Sequence, residues 1–204
     1  MNTTEIALHG RLSDDAERWL AAAIAQIGAD ARAIRSLFPA VGRKCGRGPL
    51  RSAERPGWTV DEAARVTLLN VLPLDALVAE IGDLYRHGDA AEKRAVLRGL
   101  DLLPIGDDGL PIVADALRTN DARLVAAAMG PYGAKRLDPR AYRHGVLKCV
   151  FMGIPLADIA GLDRRVDAEL VAMLQSFAAE RAAAGRSIPA DVTRLIPEPS
   201  PLEP

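Results

Sequence analysis

Apolar side chains recur every three or four positions along most of the chain, and polar side chains fill the positions between them. This spacing places the apolar side chains on one face of an α-helix. No run of useful length alternates apolar and polar residues, as a half-buried strand would. The pattern therefore predicts an all-α protein. Its first helix follows a capping Ser13 and has an apolar face of Ala16, Leu20, Ala23, Ile24 and Ile27.

Capping residues predict where several helices begin. Thr59 with Glu62 has the spacing of a capping box, in which each side chain bonds the other residue's backbone. Asp89 with Glu92 is expected to open a later helix. Asn120 or Asp121 is expected to cap a short helix that ends at Met129. The Asp138–Pro139 pair suits the first turn of a helix that ends at Phe151.

Prolines and glycines predict where helices end. A short helix from Asp30 to Phe38 is expected to stop at Pro39. Residues 41–57 are rich in Gly and Pro and are predicted to form a loop. The last long helix is predicted from Asp163 to Gly185.

Helices joined by short turns favour a helical-hairpin stack of roughly ten helices, either HEAT-like or an irregular α-solenoid or bundle. The helices share no clear repeated motif, so the sequence does not establish a regular solenoid. A single all-α domain is expected over residues 1–196. Residues 197–204 contain four prolines and are predicted to be a frayed tail.

Composition narrows the range of partners. The 204 residues carry 26 basic and 27 acidic side chains, a net charge of −1, and aromatic residues make up 4%. Nucleic-acid binding needs phosphate-neutralising cations and often stacking aromatics, so no nucleic-acid partner is expected. No segment is long and apolar enough to cross a membrane, and no signal peptide is evident. Direct membrane insertion is therefore not expected, and a cytoplasmic location is.

One segment departs from this charge balance. Residues 43–55 carry five basic side chains against Glu54 alone, and Gly46 and Gly48 expose backbone N–H groups nearby. The segment suits contact with phosphate or with an acidic partner, and a solvated flexible loop explains it equally well. The five cations are Arg43, Lys44, Arg47, Arg51 and Arg55.

Sequence signatures of nucleotide, zinc and serine-nucleophile sites are missing. The chain contains no phosphate-binding loop, dinucleotide fingerprint, nucleophile elbow or zinc-protease helix. His9, His87 and His144 lie far apart in sequence, without a carboxylate or thiol at ligand spacing. No metal or other cofactor is therefore predicted.

Candidates for acid–base work are few. His144 and Lys148 share a helix face, so a general base beside a cation is one interpretation and an exposed polar face is the other. Tyr132 is placed in a turn, where it lines a pocket or packs locally. Asp163 and Glu180 complete the set of candidates.

Candidate ligand contacts are mostly arginines near helix ends. Arg164 and Arg165 sit at the start of a predicted helix, where the dipole disfavours cations, so they suggest an ion pair or an anionic ligand. Arg118 and Asn120 bind an anion or a carbonyl, or they form a capping turn. Arg181 and Arg186 bind a ligand or simply suit the negative C-terminal end of a helix. The predicted contacts are Arg118, Asn120, Tyr132, Lys148, Arg164, Arg181 and Arg186.

Seven stretches, in order and at matching spacing over about residues 58–194, resemble the EboA-domain family, which belongs to a small bacterial and algal gene cluster linked to metabolite traffic. They are Trp58–Arg65, Leu100–Pro104, Leu117–Asn120, Pro131–Tyr132, Gly145–Phe151, Ile159–Val166 and Glu180–Arg186.

The chain resembles a divergent member, because it lacks amide or aromatic groups that the family usually shows. Gly130–Gly133 replaces Asn-Pro-Tyr-Pro, and Tyr142–Gly145 stands where a Trp-Asn-Gln run is typical. Asp167 stands where an Asn is expected, and Ala182 where a Trp is expected. If those groups form the family's ligand surface, a different ligand is implied.

The resemblance implies an all-α protein that works beside enzymes of a secondary-metabolite, or natural-product, pathway. It implies no established reaction. Three functions remain open: binding or handing on a small-molecule intermediate, catalysis without metal or nucleotide, and adaptor contact with pathway enzymes. A pocket with convergent polar groups would favour the first two, and an exposed apolar patch the third.

Overall fold

Helices account for the regular structure of the chain in a computed structural model, which describes residues 8–196. Twelve α-helices have both ends within these residues, and the same residues contain no β-strand. The prediction of an all-α protein is confirmed. None of the described helices is both long and apolar enough to cross a membrane.

The chain divides into two compact units at the Ala116–Leu117 boundary. The predictions of one domain over residues 1–196 and of a hairpin stack remain predictions. The predicted frayed tail, residues 197–204, lies outside the described residues.

The first unit is built around a helix that is buried on every side. All ten residues of α3 are buried, and α3 packs against α1, α2 and α5. The helices of this unit are α1 (Asp14–Ala29), α2 (Ile34–Lys44), α3 (Val60–Leu69), α4 (Leu74–His87), α5 (Ala90–Gly99) and α6 (Leu110–Arg118), the last of which contains the boundary near its C-terminal end.

Buried charges accompany the apolar core of this unit. The Arg65 side chain on α3 is 0% exposed, donates to the Asp61 carboxylate and to the Phe38 carbonyl oxygen, and lies 4.0 Å from the Glu92 carboxylate. Glu62 accepts from Arg94 and from Arg98. Ion pairing compensates the charges of these buried groups, whose isolated burial would cost several kcal/mol. One terminal nitrogen of Arg65 nevertheless has no hydrogen-bond partner among residues 8–196.

The second unit is centred on α9. This helix packs against α7, α11 and a 3₁₀ turn at Leu156–Asp158. The helices of this unit are α7 (Ala122–Ala128), α8 (Pro131–Arg136), α9 (Pro139–Phe151), α10 (Leu162–Arg165), α11 (Ala168–Ala183) and α12 (Ala190–Thr193).

The predicted caps are where the sequence indicates them. Ser13 accepts from the Ala16 N–H, and Asp121 caps the helix that follows it. The predicted capping box of Thr59 with Glu62 is formed, and Asp89, expected with Glu92 to open a helix, forms a capping box with it. These short-range predictions are confirmed because each depends on only four neighbouring residues.

Two predicted boundaries in the first unit are wrong, the end of α2 at Pro39 and the start of the basic loop at residue 41. Pro39 lies inside α2 and does not end it. A proline costs the helix one hydrogen bond, and the complete burial of Phe38 and Val41 on either side offsets that cost. Residues 41–44, predicted as loop, continue α2. The basic loop therefore begins at Cys45.

Two predictions in the second unit also need correction. The long helix expected from Asp163 to Gly185 is broken at Val166 and Asp167, whose extended backbone separates α10 from α11. The break follows because the Asp167 side chain accepts from the Leu170 N–H and so starts a new helix. Tyr132, expected in a turn, lies in α8, which has Pro131 at its first position.

Candidate functional site

A pocket of about 230 Å³ lies in the second unit, where the start of α9 faces the break between α10 and α11. Its walls come from three short segments that capping residues position. Asp138 opens α9 by accepting from the Ala141 N–H, and Asp167 opens α11. The lining residues are Pro139, Tyr142, Arg164, Arg165, Val166 and Asp167.

Arg165 forms a fixed wall of this pocket. Its guanidinium donates to the carbonyl oxygens of Ala134 at 2.7 Å and Leu137 at 2.8 Å, at the C-terminal end of α8. A cation there is favoured by the helix dipole. The same guanidinium stacks over the Tyr142 ring, 4.0 Å from its centroid. These contacts account for Arg165 without a ligand.

Tyr142 is buried behind Arg165. It is 1% exposed, and its hydroxyl donates to the Ala160 carbonyl oxygen at 2.8 Å. Burial raises the pKa of Tyr142, although the charge of Arg165 opposes the rise. The phenol is therefore neutral at physiological pH, and its proton is held by a backbone acceptor.

Asp167 is the carboxylate of the pocket. The backbone N–H of Leu170 donates to Asp167 and does most to lower its pKa, and a hydrogen bond from Arg143 lowers the pKa further. Arg143 contacts the second carboxylate oxygen at 2.8 Å. Asp167 is therefore ionised at neutral pH, and each of its oxygens already has a donor.

Arg164 differs from these three residues. It is exposed, and one of its terminal nitrogens lies beside Gly161, the residue before α10, whose backbone is left-handed at φ 71°. Within residues 8–196 its guanidinium forms no hydrogen bond or ion pair. The pocket thus contains two guanidiniums and one paired carboxylate, with the positive N-terminal end of α11 close by. That arrangement favours an anionic group.

Of the residues predicted as ligand contacts, Arg164 is the one that lines this pocket. Asp163 is exposed on the same short helix. On α9, His144 is exposed with its Nδ1 2.8 Å from the Arg140 carbonyl oxygen, and Lys148 is half-buried. Tyr132, 5% exposed, is part of the packed interior of the second unit.

Two other predicted groups lie at helix ends. Glu180 and Arg181 are in the last turns of α11, where the Nε of Arg181 donates to the Ser187 carbonyl oxygen at 2.6 Å and closes the turn after the helix. Arg186 lies within that turn and is exposed. Arg118 and Asn120 are exposed around the α6–α7 connection. The ligand and acid–base roles of these residues remain predictions.

Sequence reasoning gave Tyr142 no role in a site and left Arg165 out of the predicted contacts. The arginine pair at 164–165 does indicate a site, because two cations at the start of a predicted helix suggest an ion pair or an anionic ligand. The carbonyl acceptors of Arg165 come from residues 28 and 31 positions earlier. Side-chain spacing cannot reveal such partners.

The two cysteines of the chain are buried. Burial raises the pKa of Cys149 to about 12 and that of Cys45 to about 11, so both remain thiols at neutral pH. Among residues 8–196 no three His, Cys, Asp or Glu side chains are grouped so as to hold a metal ion.

Comparison with known proteins identifies a family. No curated protein and no solved structure matches the chain. A family model described as metabolite traffic protein EboA matches residues 2–197. The match extends beyond the 58–194 stretch that carries the sequence resemblance, and it covers nearly all of the chain. The chain therefore belongs to the EboA family.

Proposed function

We propose that this EboA-family protein binds an anionic group of a small-molecule intermediate in the Arg164 pocket and hands the intermediate on unchanged. The observation that carries the proposal is Arg164 itself. It is a pocket-lining guanidinium without a hydrogen-bonding or ion-pairing partner in residues 8–196, beside a second guanidinium that is fully engaged.

The charge of the pocket supports an anionic ligand. The Asp167 carboxylate is already paired with Arg143 and does not neutralise Arg164. A planar guanidinium binds carboxylate or phosphate through two parallel hydrogen bonds. An anion at the start of the 16-residue α11 would also gain from the helix dipole.

The size of the pocket limits what it holds. Drug-sized ligands usually occupy about 300–1,000 Å³. The volume of about 230 Å³ is closer to that of a head group with a short attached segment. The rest of a larger intermediate would extend into solvent, where a receiving protein has access to it.

Binding is favoured over conversion by the state of the pocket's titratable groups. The Tyr142 proton is held by the Ala160 carbonyl, and both oxygens of Asp167 accept hydrogen bonds. Neither group is poised to move a proton at neutral pH. None of the acid–base candidates from the sequence is among the lining residues, and these candidates are His144, Lys148, Tyr132, Asp163 and Glu180.

The pocket is lined by two residues at which this chain departs from the family's usual pattern. Tyr142 begins the stretch that replaces a typical Trp-Asn-Gln run, and Asp167 replaces an expected Asn. Both substitutions change the polarity of the walls. We therefore expect a ligand that differs from the one its relatives bind.

Native mass spectrometry of the protein purified from its own host tests this proposal. We expect a retained anionic small molecule in the wild type, and its loss in Arg164→Gln. Arg194→Gln removes the same charge from another exposed position of the second unit and should retain the molecule.

Each other outcome argues against the proposal. A wild-type protein that carries no small molecule would favour the adaptor function. Retention in Arg164→Gln would place the ligand elsewhere. A mass change when the recovered molecule is incubated with the protein would show that the protein is an enzyme.

A further inference from the structure

The last turn of α2 and the basic loop that follows it carry a concentration of charge that the pocket does not explain. We call the side chains of Arg43, Lys44, Arg47, Arg51 and Arg55 the basic loop surface. Glu54 is the one acidic residue in this segment. A local excess of this size stands out in a chain whose net charge is −1.

The cations of this surface are not paired within residues 8–196. No hydrogen bond or ion pair joins any of the five side chains to a described residue, although Arg55 lies over the Trp58 ring. Several arginines elsewhere in the same unit do have acid partners. Arg35 contacts Glu80, and Arg94 and Arg98 contact Glu62.

The dipole of α2 explains why some of these cations are unpaired, but not all of them. Arg43 and Lys44 lie in the last turn of α2, where the dipole favours cations. The Arg47 guanidinium folds back against Gly42 in that turn. Arg51 and Arg55 lie well beyond the helix, where its dipole has little effect.

The loop is held in place by its backbone. The Leu50 N–H donates to the Trp58 carbonyl oxygen and the Val60 N–H to that of Gly48. The Leu50 side chain is 0% exposed and anchors the middle of the loop. Arg51, next to this anchor, has φ 53°, a conformation that is strained for a residue with a side chain. A fixed loop presents its cations at a lower entropic cost than a flexible one would.

We propose that the basic loop surface docks an acidic segment of a partner protein. Four of its five cations are arginines, whose planar fork matches carboxylates better than the point charge of lysine does. Complementary charge raises the association rate and selects the partner. This surface is distinct from the Arg164 pocket, which belongs to the second unit.

The same residues fit other polyanions less well. A membrane surface usually takes apolar anchors as well as charge, and Cys45 and Leu50 are buried. Single-stranded nucleic acid stacks its bases on exposed aromatic faces. The aromatic ring beside this surface is Trp58, and the guanidiniums of both Arg55 and Arg98 already lie over it, where a base would have to stack.

Fluorescence anisotropy with a Glu-rich peptide tests the proposal, and the same peptide with Gln in place of Glu is the uncharged control. The full chain should bind the Glu peptide and not the Gln peptide, with an affinity that weakens as salt increases. The triple variant Arg43→Gln, Arg47→Gln, Arg51→Gln should bind about tenfold or more weakly.

A matched triple variant removes the same charge elsewhere. Arg18→Gln, Arg32→Gln and Arg194→Gln replace three exposed arginines outside the loop and should change the affinity by less than about twofold. Circular dichroism should show the same helix content in both variants, because all six side chains are exposed.

Three results would overturn the proposal. The first is no binding of the Glu peptide at low salt. The second is an equal loss in both triple variants, since net charge alone would then explain binding. The third is tighter binding to phosphatidylserine vesicles or to single-stranded RNA than to the peptide, which would assign the surface to a membrane or to nucleic acid.

Discussion

The Arg165 guanidinium stacks on the Tyr142 ring at 4.0 Å while donating to two carbonyl oxygens at the end of α8. One side chain thus joins α8, α9 and α10. Its neighbour Arg164 has none of these contacts and faces the same pocket. Two adjacent arginines therefore differ in role, and substitutions should separate structure from binding.

Arg165→Lys should destabilise the second unit, and Arg164→Lys should not. Lysine has a single donor nitrogen in place of the two that bond the carbonyls of Ala134 and Leu137, so we expect it to keep only one of these bonds in good geometry. We expect a loss of about 1–3 kcal/mol in the free energy of unfolding for Arg165→Lys and about 0.5 kcal/mol or less for Arg164→Lys. Urea titration followed by circular dichroism measures both. Equal losses would contradict the division of roles.

The buried Arg65–Asp61 pair should behave as one energetic unit. Arg65→Met leaves the Asp61 carboxylate buried without its cation and should cost about 3–5 kcal/mol. The double variant Arg65→Met with Asp61→Leu removes both charges and should be more stable than Arg65→Met alone. A double-mutant cycle by urea unfolding gives the coupling energy. Additive losses would show that the two side chains do not stabilise each other.

Two glycines should respond to alanine in opposite directions. A Cβ at Gly133 in α8 would collide with the Ala128 carbonyl oxygen, a backbone atom that cannot easily move. Gly133→Ala should therefore cost about 1–3 kcal/mol. Gly28 in α1 is exposed and has open space around it, so Gly28→Ala should stabilise the chain by up to about 1 kcal/mol. Thermal unfolding measures both shifts. A stabilising Gly133→Ala would disprove the close approach.

Asp167 should make stability depend on pH. Its pKa in the folded chain is lowered, mainly by the Leu170 N–H and then by Arg143, from an ordinary value of 3.8. The ionised carboxylate therefore stabilises the fold above that value, and this contribution is lost as the pH falls through the lower folded pKa. Asp167→Asn should be less stable than the wild type at neutral pH, and the difference should shrink in acid. Melting temperatures across this range measure it, and a constant difference would contradict the proposed role.

Local signals in the sequence were enough to predict much of the helical structure. Ser13, Asp89 and Asp138 each bond a backbone N–H three residues away, so a short stretch of sequence specifies the contact. The prediction that α2 stops at Pro39 is wrong because it depends on contacts that are distant in sequence. Its effect on α2 depends on the burial of its neighbours Phe38 and Val41 within the core of the first unit, and sequence spacing does not give that energy.

The sequence singles out one of the six residues that line the candidate pocket. Arg164 is identified from its unfavourable position at the start of a long predicted helix. In the structure Arg164 lies in the short α10, and the long helix, α11, begins at Ala168. Arg165 and Tyr142 could not be assigned, because their backbone acceptors are 18 to 31 residues away. The break at Val166 and Asp167 also escaped prediction, because apolar spacing continues across it and the Asp167 cap competes with that pattern.

The complete burial of α3 has a consequence for hydrogen exchange. A helix enclosed by α1, α2 and α5 has no solvent-facing side through which its backbone could open alone. Its amide protons should exchange with deuterium only when the whole first unit unfolds, and most slowly among the helices of that unit. The exchange rate of α3 would therefore report the global stability of that unit directly.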